Sequence, residues 1–444
     1  MKKKIILFIT LLCIPYLAMA KDITSECDIT INTARQKELK DEDYNTYITK
    51  SYNSAIMVSC PEEIKNIYIV YHDKAIKGKI LFENSENLVG QKGYLHELVK
   101  VNSNISSFKL SYEEKYSLAD IYIFTDDNLP DYVQDWSTLD TADLMLFSTH
   151  ADDEQLFFAG LLPKYVDARK DVQVVYFTNH FNNKMRYHEL LNGLWAVGIK
   201  NYPLISEFPD AYSQTRDGAL MNFTNAGFKI DDLLKFQVDA IRKYKPYVVV
   251  GHDENGEYGH GQHILNTYLL ETAYKKAKDK TFDEESVKKY GTWEIQKLYL
   301  HLYPENKLCL DYDVPLKSFG GKTAYEMSKI GYSKHISQQG TWFTEWLNGK
   351  NNKFTSVTEI KTFNPCEFGL YYTGVGDDVA KDDLFENVKD TKNQPIKDDD
   401  KKDENINVDK DTEIKTTNDA VLYVAVGIVI IVIIALLVSI FLKR

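Results

Sequence analysis

Short apolar runs separated by turn residues fill the chain from residue 21 to about residue 138. The runs at 67–71, 107–110 and 120–124 are rich in β-branched and aromatic residues, which is typical of strands. No helical periodicity of useful length interrupts them. The pattern predicts a small β-sandwich-like domain at 21–138, which would act either as a carbohydrate-binding module or as a spacer.

The pattern changes at residue 139, where strand-like runs begin to alternate with helical repeats. The predicted strands lie at 143–149, 172–178, 247–251 and 295–302, and the predicted helices at 155–169, 185–197, 230–244 and 262–276. This alternation predicts an α/β domain with a Rossmann-like, mostly parallel sheet and helices on both faces. Further helical repeats at 323–330 and after Gly340 extend the domain to 139–373.

Both ends of the chain carry segments typical of export and anchoring. Residues 1–20 combine three lysines, an apolar stretch and a small-x-small ending, which predicts a cleaved signal peptide. Residues 420–442 are uncharged and long enough to cross a bilayer, so residues 443–444 would lie in the cytoplasm. The intervening 374–419 is predicted to be an acidic, disordered linker. We therefore expect a cell-surface, extracytoplasmic body held by a single transmembrane helix.

Charge and cysteine content narrow the function classes. The net charge of -12 argues against a nucleic-acid partner, which requires a basic surface. Four cysteines remain after signal cleavage, and an even number in an exported chain predicts two disulfides. Proximity favours Cys27–Cys60 and Cys309–Cys366, although three connectivities are open and free buried thiols are the alternative.

Two polar segments follow predicted strands and carry the candidate chemistry. The first is 149–154, with the sequence THADDE, and the second is 256–263, with the sequence GEYGHGQH. Because ligands bind beyond the carboxyl ends of strands in open α/β sheets, we expect both segments at one edge of the sheet. An incidental acidic loop or glycine-rich turn would explain either segment alone, but not both at matching strand ends.

Together these segments supply the residue types of a catalytic zinc site. His150, Asp153 and His263 form a two-histidine, one-carboxylate ligand set that leaves a position for water. Asp152 is then the natural acceptor for the proton of that water. His260, three residues before His263, would stabilise the oxyanion and protonate a leaving amine.

The same residues resemble the LmbE/PIG-L-like zinc deacetylases, whose first motif is A-H-P-D-D-E. The resemblance covers roughly 140–373 and implies zinc on His150, Asp153 and His263, with Asp152 as base and His260 as acid. It further implies that Tyr258 polarises the substrate carbonyl and that Arg186 contacts the substrate. Ala151 replaces the family's usual proline. Gln262 replaces an aspartate that supports the catalytic histidine in the family, which weakens the role of His260 as acid.

Four further positions carry open alternatives. Glu154 would either orient a neighbouring side chain or sit at a helix N-terminus for its dipole. His252 would line the pocket or belong to a structural turn. His180 and His188 are interpreted as surface or packing residues.

The sequence thus predicts an extracytoplasmic, zinc-dependent N-deacetylase. Its substrate would be an N-acetylated amino sugar in a GlcNAc-type glycan or glycoconjugate, hydrolysed to an amine and acetate. The alternatives are a zinc amidase for another N-acyl substrate and a surface glycan-binding protein with an inactive deacetylase fold. A magnesium-dependent phosphate-transfer enzyme is less consistent, since magnesium seldom recruits two histidines.

Overall fold

The computed structural model describes residues 21–351 and 353–392. The predicted signal peptide at 1–20, the transmembrane segment at 420–442, the cytoplasmic end at 443–444 and most of the linker lie outside the described residues. Within 21–351 and 353–392, no helix combines the length and apolar character that a membrane span requires. The described residues from 21 to 390 belong to one compact unit.

The N-terminal part is an antiparallel sheet, as its apolar runs predict. Its strands are β1 (Asp28–Ile31), β2 (Ala34–Arg35), β3 (Ile48–Lys50), β4 (Ile56–Tyr71), β5 (Gly78–Leu81), β6 (Glu86–Val89), β7 (His96–Tyr112) and β8 (Tyr116–Phe124). The order is β2-β1-β4-β7-β5-β6, and β8 pairs with both β3 and β4. All eight strands are joined by hydrogen bonds, because the long strand β4 pairs with β1, β7 and β8.

The second sheet has seven strands and confirms the predicted mixed α/β class. Its strands are β9 (Leu144–Ser148), β10 (Val172–Tyr176), β11 (Leu204–Ile205), β12 (Val248–Gly251), β13 (Lys297–His301), β14 (Lys307–Cys309) and β15 (Glu367–Thr373). The order is β11-β10-β9-β12-β13-β15-β14. The first five strands pair in parallel, whereas β15 and β14 add an antiparallel edge. Strands β9, β10, β12 and β13 are buried along their whole length, as expected of a sheet covered on both faces.

The helices fall into two packed groups around this sheet. Their bounds are α1 (Asp153–Leu156), α2 (Leu161–Asp167), α3 (Met185–Ala196), α4 (Arg216–Asn225), α5 (Ile230–Tyr244), α6 (Gly261–Lys278), α7 (Glu284–Tyr290), α8 (Ala324–Tyr332) and α9 (Trp342–Asn348). Helix α8 packs on α1, α2 and α3, whereas α5 packs on α6 and α7, and α4 packs on α6. The predicted single helix at 155–169 is two short helices: the first ends at Leu156, and Gly160, with a φ of 93°, lies outside helical geometry directly before the second.

The order of the parallel strands creates a crevice beside the first of them. Successive crossovers run from β9 to β10 and β11, and the chain then returns to place β12 on the other side of β9. The carboxyl ends of β9 and β12 therefore border a topological switch point, which is where open α/β sheets bind ligands. Both polar segments of the sequence begin there.

Two predictions outside the sheet are decided by the structure. Disulfides join Cys27 to Cys60 and Cys309 to Cys366, which confirms the pairing favoured by proximity. The predicted disordered linker is wrong for residues 374–390, which pack on the α/β part. Leu384 is fully buried, and Asp378 binds the buried Lys297 and accepts a hydrogen bond from the Tyr299 hydroxyl at 2.6 Å. An acidic composition does not prevent folding where a buried cation offers a partner.

Candidate metal and catalytic site

Three side chains predicted to share a metal converge at the switch point. The Nδ1 atom of His150 lies 3.0 Å from Nε2 of His263, and Oδ2 of Asp153 lies 3.3 Å from the first and 3.2 Å from the second. Ligands about 2.0–2.2 Å from a tetrahedral zinc are separated by roughly 3.3 Å. All three residues are buried. The atoms therefore have both the identity and the spacing of a zinc ligand set.

Local folding explains why these side chains meet. His150 follows β9 directly, and its backbone N–H donates to Asp153 Oδ2 at 2.7 Å, which turns the carboxylate back toward the histidine. His263 lies in the first turn of α6, which begins where the glycine-rich segment ends. A side chain at Gly261 would collide with the backbone of Thr215, so only glycine allows this close approach.

Hydrogen bonds to the outer ring atoms fix the orientation of both histidines. His150 Nε2 donates to the Gln262 side-chain carbonyl at 2.9 Å, and His263 Nδ1 donates to Glu257 Oε2 at 2.7 Å. The remaining nitrogens, Nδ1 and Nε2 respectively, are left to face Asp153. Such partners of a metal-binding histidine set its tautomer and raise its basicity.

The electrostatics of the cluster favour a cation. Burial alone would lower the pKa of His263, but Asp153 and Glu257 hold it raised, to about 10. Burial alone would raise the pKa of Asp153, but His263 and His150 hold it well below its usual range. His252 Nε2 is buried without a hydrogen-bond partner and lies 3.6 Å from Asp153 Oδ2. A divalent metal would satisfy these surroundings, and the residues fit the zinc that the sequence predicts.

Asp152 lies beside the ligands but points elsewhere. Its φ of 115° is a strained value for a non-glycine residue, and its N–H is held by Glu154 Oε2 at 3.0 Å. One carboxylate oxygen accepts from Arg186 Nη2 at 3.2 Å. Burial, opposed by Arg186, raises the pKa of Asp152 to about 7. A carboxyl group with this pKa is suited to exchanging a proton at neutral pH.

His260 and Tyr258 lie on the other side of the ligand cluster. The ring of His260 is 4.6 Å from that of His150 and 4.8 Å from that of His263, between centroids. Burial, followed by these two histidines, lowers the pKa of His260 to about 2. The Gln262 side chain binds His150, whereas the Gln262 backbone N–H donates to His260 Nδ1 at 3.2 Å. The described hydrogen bonds of His260 therefore include no carboxylate partner of the kind the family provides. The Tyr258 ring packs 5.5 Å from His260.

Asp210 is a charged residue of the site that the sequence did not indicate. It follows β11 and approaches three site residues: His180 Nδ1 at 3.2 Å, His150 Nε2 at 3.5 Å and Arg186 Nη1 at 3.5 Å. Burial alone would raise the pKa of Asp210, but His150 and His180 hold it well below its usual range. The strand before Asp210 has only two residues, which is too short to show a strand-like hydrophobic pattern in the sequence.

His180 likewise belongs to the site, which corrects its interpretation as a surface or packing residue. It accepts a hydrogen bond from the backbone N–H of Ala151 at 2.9 Å, which holds the metal loop in place of the family's proline. The sequence feature that could have placed His180 in the site is its position just after β10, at the carboxyl end of a strand. His188 is a buried packing residue, as expected, and bonds to His96 of the first sheet at 2.8 Å.

Glu257 is the second residue that the sequence analysis missed. Its carboxylate is fully buried and accepts from Nδ1 of three histidines, each at 2.7 Å: His252, His263 and His301. Its neighbour His252 thereby joins the ligand cluster. In the sequence, Glu257 lies between Gly256 and Gly259 and looks like part of a solvent-exposed turn. Only its burial in the structure reveals its role as the acceptor for these histidines.

The remaining polar contacts support Asp152 rather than the ligands. Glu154 accepts from His335 Nε2 at 3.1 Å and from the Asp152 N–H, so it orients the loop that carries the proposed base. Glu189 accepts two hydrogen bonds from Ser337. These contacts join the segment around His335 and Ser337 to Glu154 beside the base and to Glu189 on the helix that carries Arg186.

A cavity of about 500 Å³ opens beside the cluster. Its lining includes Arg186 and Asp210, which contact the site, together with Asn179, Phe181 and Glu207. Amide and carboxylate groups around an aromatic ring suit a ligand with both hydroxyl groups and apolar faces.

Comparisons with known proteins place these residues in a family context. Residues 145–274 match the family model described as PIG-L: GlcNAc-PI de-N-acetylase. The 1D-myo-inositol 2-acetamido-2-deoxy-alpha-D-glucopyranoside deacetylase 1 of Catenulispora acidiphila is 29% identical over 133 residues, which are 28% of this chain and 39% of the relative. The corresponding deacetylase of Geodermatophilus obscurus is 26% identical over 193 residues, 37% of this chain and 63% of the relative. The chain thus spans less than two thirds of the length of these relatives.

Among solved structures, the N,N'-diacetylchitobiose deacetylase of Pyrococcus horikoshii is similar over 52% of this chain and 84% of its own. The identity is 15% and the TM-score is 0.37. The match to the family model confirms the resemblance inferred from the two motifs.

Proposed function

We propose that this chain, whose residues 145–274 form a PIG-L domain, is a zinc-dependent N-deacetylase of N-acetylated amino sugars in a glycan or glycoconjugate. One observation carries the proposal: His150, Asp153 and His263 bring three ligand atoms within 3.0–3.3 Å of one another beside a separate carboxylate, Asp152. The names of the relatives, deacetylases of a 2-acetamido sugar, support the substrate class.

Zinc would be held by His150, Asp153 and His263. When bound, it would polarise the acetamide carbonyl and activate a water molecule at neutral pH. Gln262 and Glu257 keep the two histidines oriented for this role. No thiolate contributes, since all four cysteines described in the structure are in disulfides.

Asp152 acts as the general base in this proposal. Its raised pKa, about 7, lets it accept a proton and later return one near neutral pH. Arg186 holds one carboxylate oxygen, which leaves the other to receive the proton. The Arg186 side chain also lines the cavity, where it would contact the substrate.

His260 and Tyr258 would act on the acetamide carbonyl. Because the pKa of His260 lies far below neutral, the neutral ring is its resting form. A neutral imidazole can still donate one hydrogen bond to a developing oxyanion, but it is a poor proton donor. Asp152, once protonated, would therefore be a second source of the proton for the leaving amine, beside the His260 that the sequence predicts.

The extracytoplasmic location and the membrane anchor belong to the same proposal. The disulfides in the described part of the chain support export, since such bonds persist in oxidising compartments. A glycan or glycoconjugate outside the membrane would then be the accessible partner.

The test is acetate release from N-acetylglucosamine oligomers by the full chain, loaded with zinc. Asp152→Asn should bind zinc normally and lose at least about 100-fold in kcat, the range of general-base contributions. Zinc binding without acetate release from any sugar would favour another N-acyl substrate. Absence of zinc binding would favour the glycan-binding alternative.

A further inference from the structure

Exposed aromatic side chains of the α/β part concentrate around the proposed active site. Among described residues after 139, four large aromatic side chains are strongly exposed: Phe181 at 51%, Tyr212 at 62%, Tyr268 at 42% and Trp342 at 50%. Three of the four border the site, and only Tyr268 lies elsewhere, packed under Arg216. Exposed apolar groups gathered in one place mark a binding surface.

Two of these rings surround His260. The Tyr212 ring stands at 80° to that of His260, with centroids 5.1 Å apart. The Trp342 ring stands at 89° to that of Tyr258 at 5.9 Å, and Tyr258 in turn packs against His260 at 5.5 Å. Tyr212 thus contacts His260 directly and Trp342 contacts it through Tyr258, while both outer rings stay at least half exposed.

The third ring, Phe181, follows His180 directly and lines the same cavity as Arg186 and Asp210. The rings of Trp342, Tyr258, His260, His150 and His180 form a continuous series of contacts, with neighbouring centroids 4.6–6.4 Å apart. Trp342 begins this series and Phe181 is the chain neighbour of its last member, so the contacts that link the two aromatic ends pass the metal ligand His150.

This arrangement suits a chain of sugar residues. A pyranose ring presents apolar C–H faces that pack on aromatic rings, and a rim of hydroxyl groups that needs polar partners. Asn179, Asn182 and Glu207 supply such partners beside Phe181. A single sugar at the metal would leave both aromatic ends unused.

We propose that the site binds at least three consecutive residues of an N-acetylated glycan chain. The residue to be deacetylated lies at the metal, one neighbour stacks on Trp342 and Tyr212, and the other stacks on Phe181. The inference rests on the proposed deacetylase function and narrows its substrate to internal residues of a polymer.

The test measures acetate release from N-acetylglucosamine oligomers of one to six residues by the zinc-loaded full chain. We expect kcat/KM to rise at least 10-fold between the dimer and the tetramer. Trp342→Ala and Phe181→Ala should each lower the ratio of kcat/KM for the hexamer to that for the monomer by about 3- to 10-fold, as expected for one aromatic contact. Trp342→Phe should restore most of that ratio.

Tyr268→Ala is the matched control, because it removes an equally exposed ring away from the site. It should leave the ratio unchanged. Mass spectrometry of the hexamer product should place the first free amine on an internal residue. If kcat/KM does not depend on the length of the oligomer, or if only terminal residues are deacetylated, the inference is overturned while the deacetylase function stands.

A binding measurement separates the two proposals. Zinc-loaded Asp152→Asn protein should bind the hexamer at least 10-fold more tightly than the dimer, and adding Trp342→Ala should remove most of this difference. Such binding without acetate release from the active chain supports the glycan site and refutes the deacetylase. Equal affinity for both lengths, or no binding, refutes the extended site.

Discussion

Replacing Glu257 by glutamine tests how the metal ligands are held. The carboxylate uses Oε2 for His252 and His263, and Oε1 for His301 and the backbone N–H of Asp253 at 3.3 Å. Although burial opposes ionisation, His252 and these hydrogen bonds hold the pKa of Glu257 well below its usual range. Glutamine keeps the shape but carries an NH₂ group in place of one acceptor oxygen.

The magnitude follows from the number of bonds disturbed. With one oxygen lost, at least one buried imidazole N–H faces a donor, at a cost of about 1–3 kcal/mol in the free energy of unfolding. If the amide turns toward His263, the orientation of a metal ligand is lost. Loss of such a supporting partner typically lowers metal affinity 10- to 100-fold, which corresponds to about 1.4–2.8 kcal/mol.

The assay is competition between the protein and a chromophoric chelator for zinc, combined with denaturant unfolding of the metal-free chain. Glu254→Gln is the control, since it makes the same change on an exposed position of the same loop. We expect Glu257→Gln to lose both affinity and stability, and Glu254→Gln to retain both. Zinc affinity of Glu257→Gln within twofold of the unmodified chain would refute this account of the ligand positioning.

Three further outcomes follow from the structure. Zinc at 100 times its dissociation constant should add about 2.7 kcal/mol to the stability, so a chelator should lower Tm, and His263→Ala should abolish that shift. Burial raises the pKa of Asp120 to about 7, above its unfolded value, so its contribution to stability is full below about pH 4 and is lost as pH rises to 7. Asp120→Asn should therefore stabilise the chain at pH 8 by on the order of 2–4 kcal/mol but not at pH 4, and an equal effect at both pH values in denaturant titrations would contradict this. Removing the Cys309–Cys366 bond, which spans 57 residues, should cost about 4 kcal/mol by chain entropy, and an unchanged Tm in the Cys309→Ser/Cys366→Ser variant would argue against it.

The sequence predicted the parallel sheet closely because its strands are buried on both faces. Short continuous apolar runs such as 247–251 fit few structures other than a fully buried strand. The helix at Ile230–Tyr244 coincides with its predicted range. The antiparallel edge formed by β14 and β15 was not predicted. Its pairing depends on contacts between distant segments: Cys309 pairs with Glu367, and its disulfide partner Cys366 directly precedes that residue.

The ligand set was also accessible from the sequence. His150, Asp153 and His263 are of the right types and follow strands whose ends share an edge, so topology brings them together once the fold is known. The partners that tune them were not accessible. Asp210 follows a two-residue strand, and Glu257 looks like a turn residue until burial turns it into the acceptor for three histidines.

The sequence by itself determined the α/β class and the residues able to bind a metal, because both depend on the local pattern and on residue chemistry. It favoured the observed disulfide pairing by proximity, but the structure decided among the three connectivities. Only the tertiary structure decided which neighbouring groups shift the pKa values of the site residues and which groups fix their orientation. The pKa of Asp152 is raised by its burial, and that of His260 is lowered by burial and by neighbouring histidines. Desolvation and through-space Coulomb interactions depend on three-dimensional surroundings, which no spacing along the chain records.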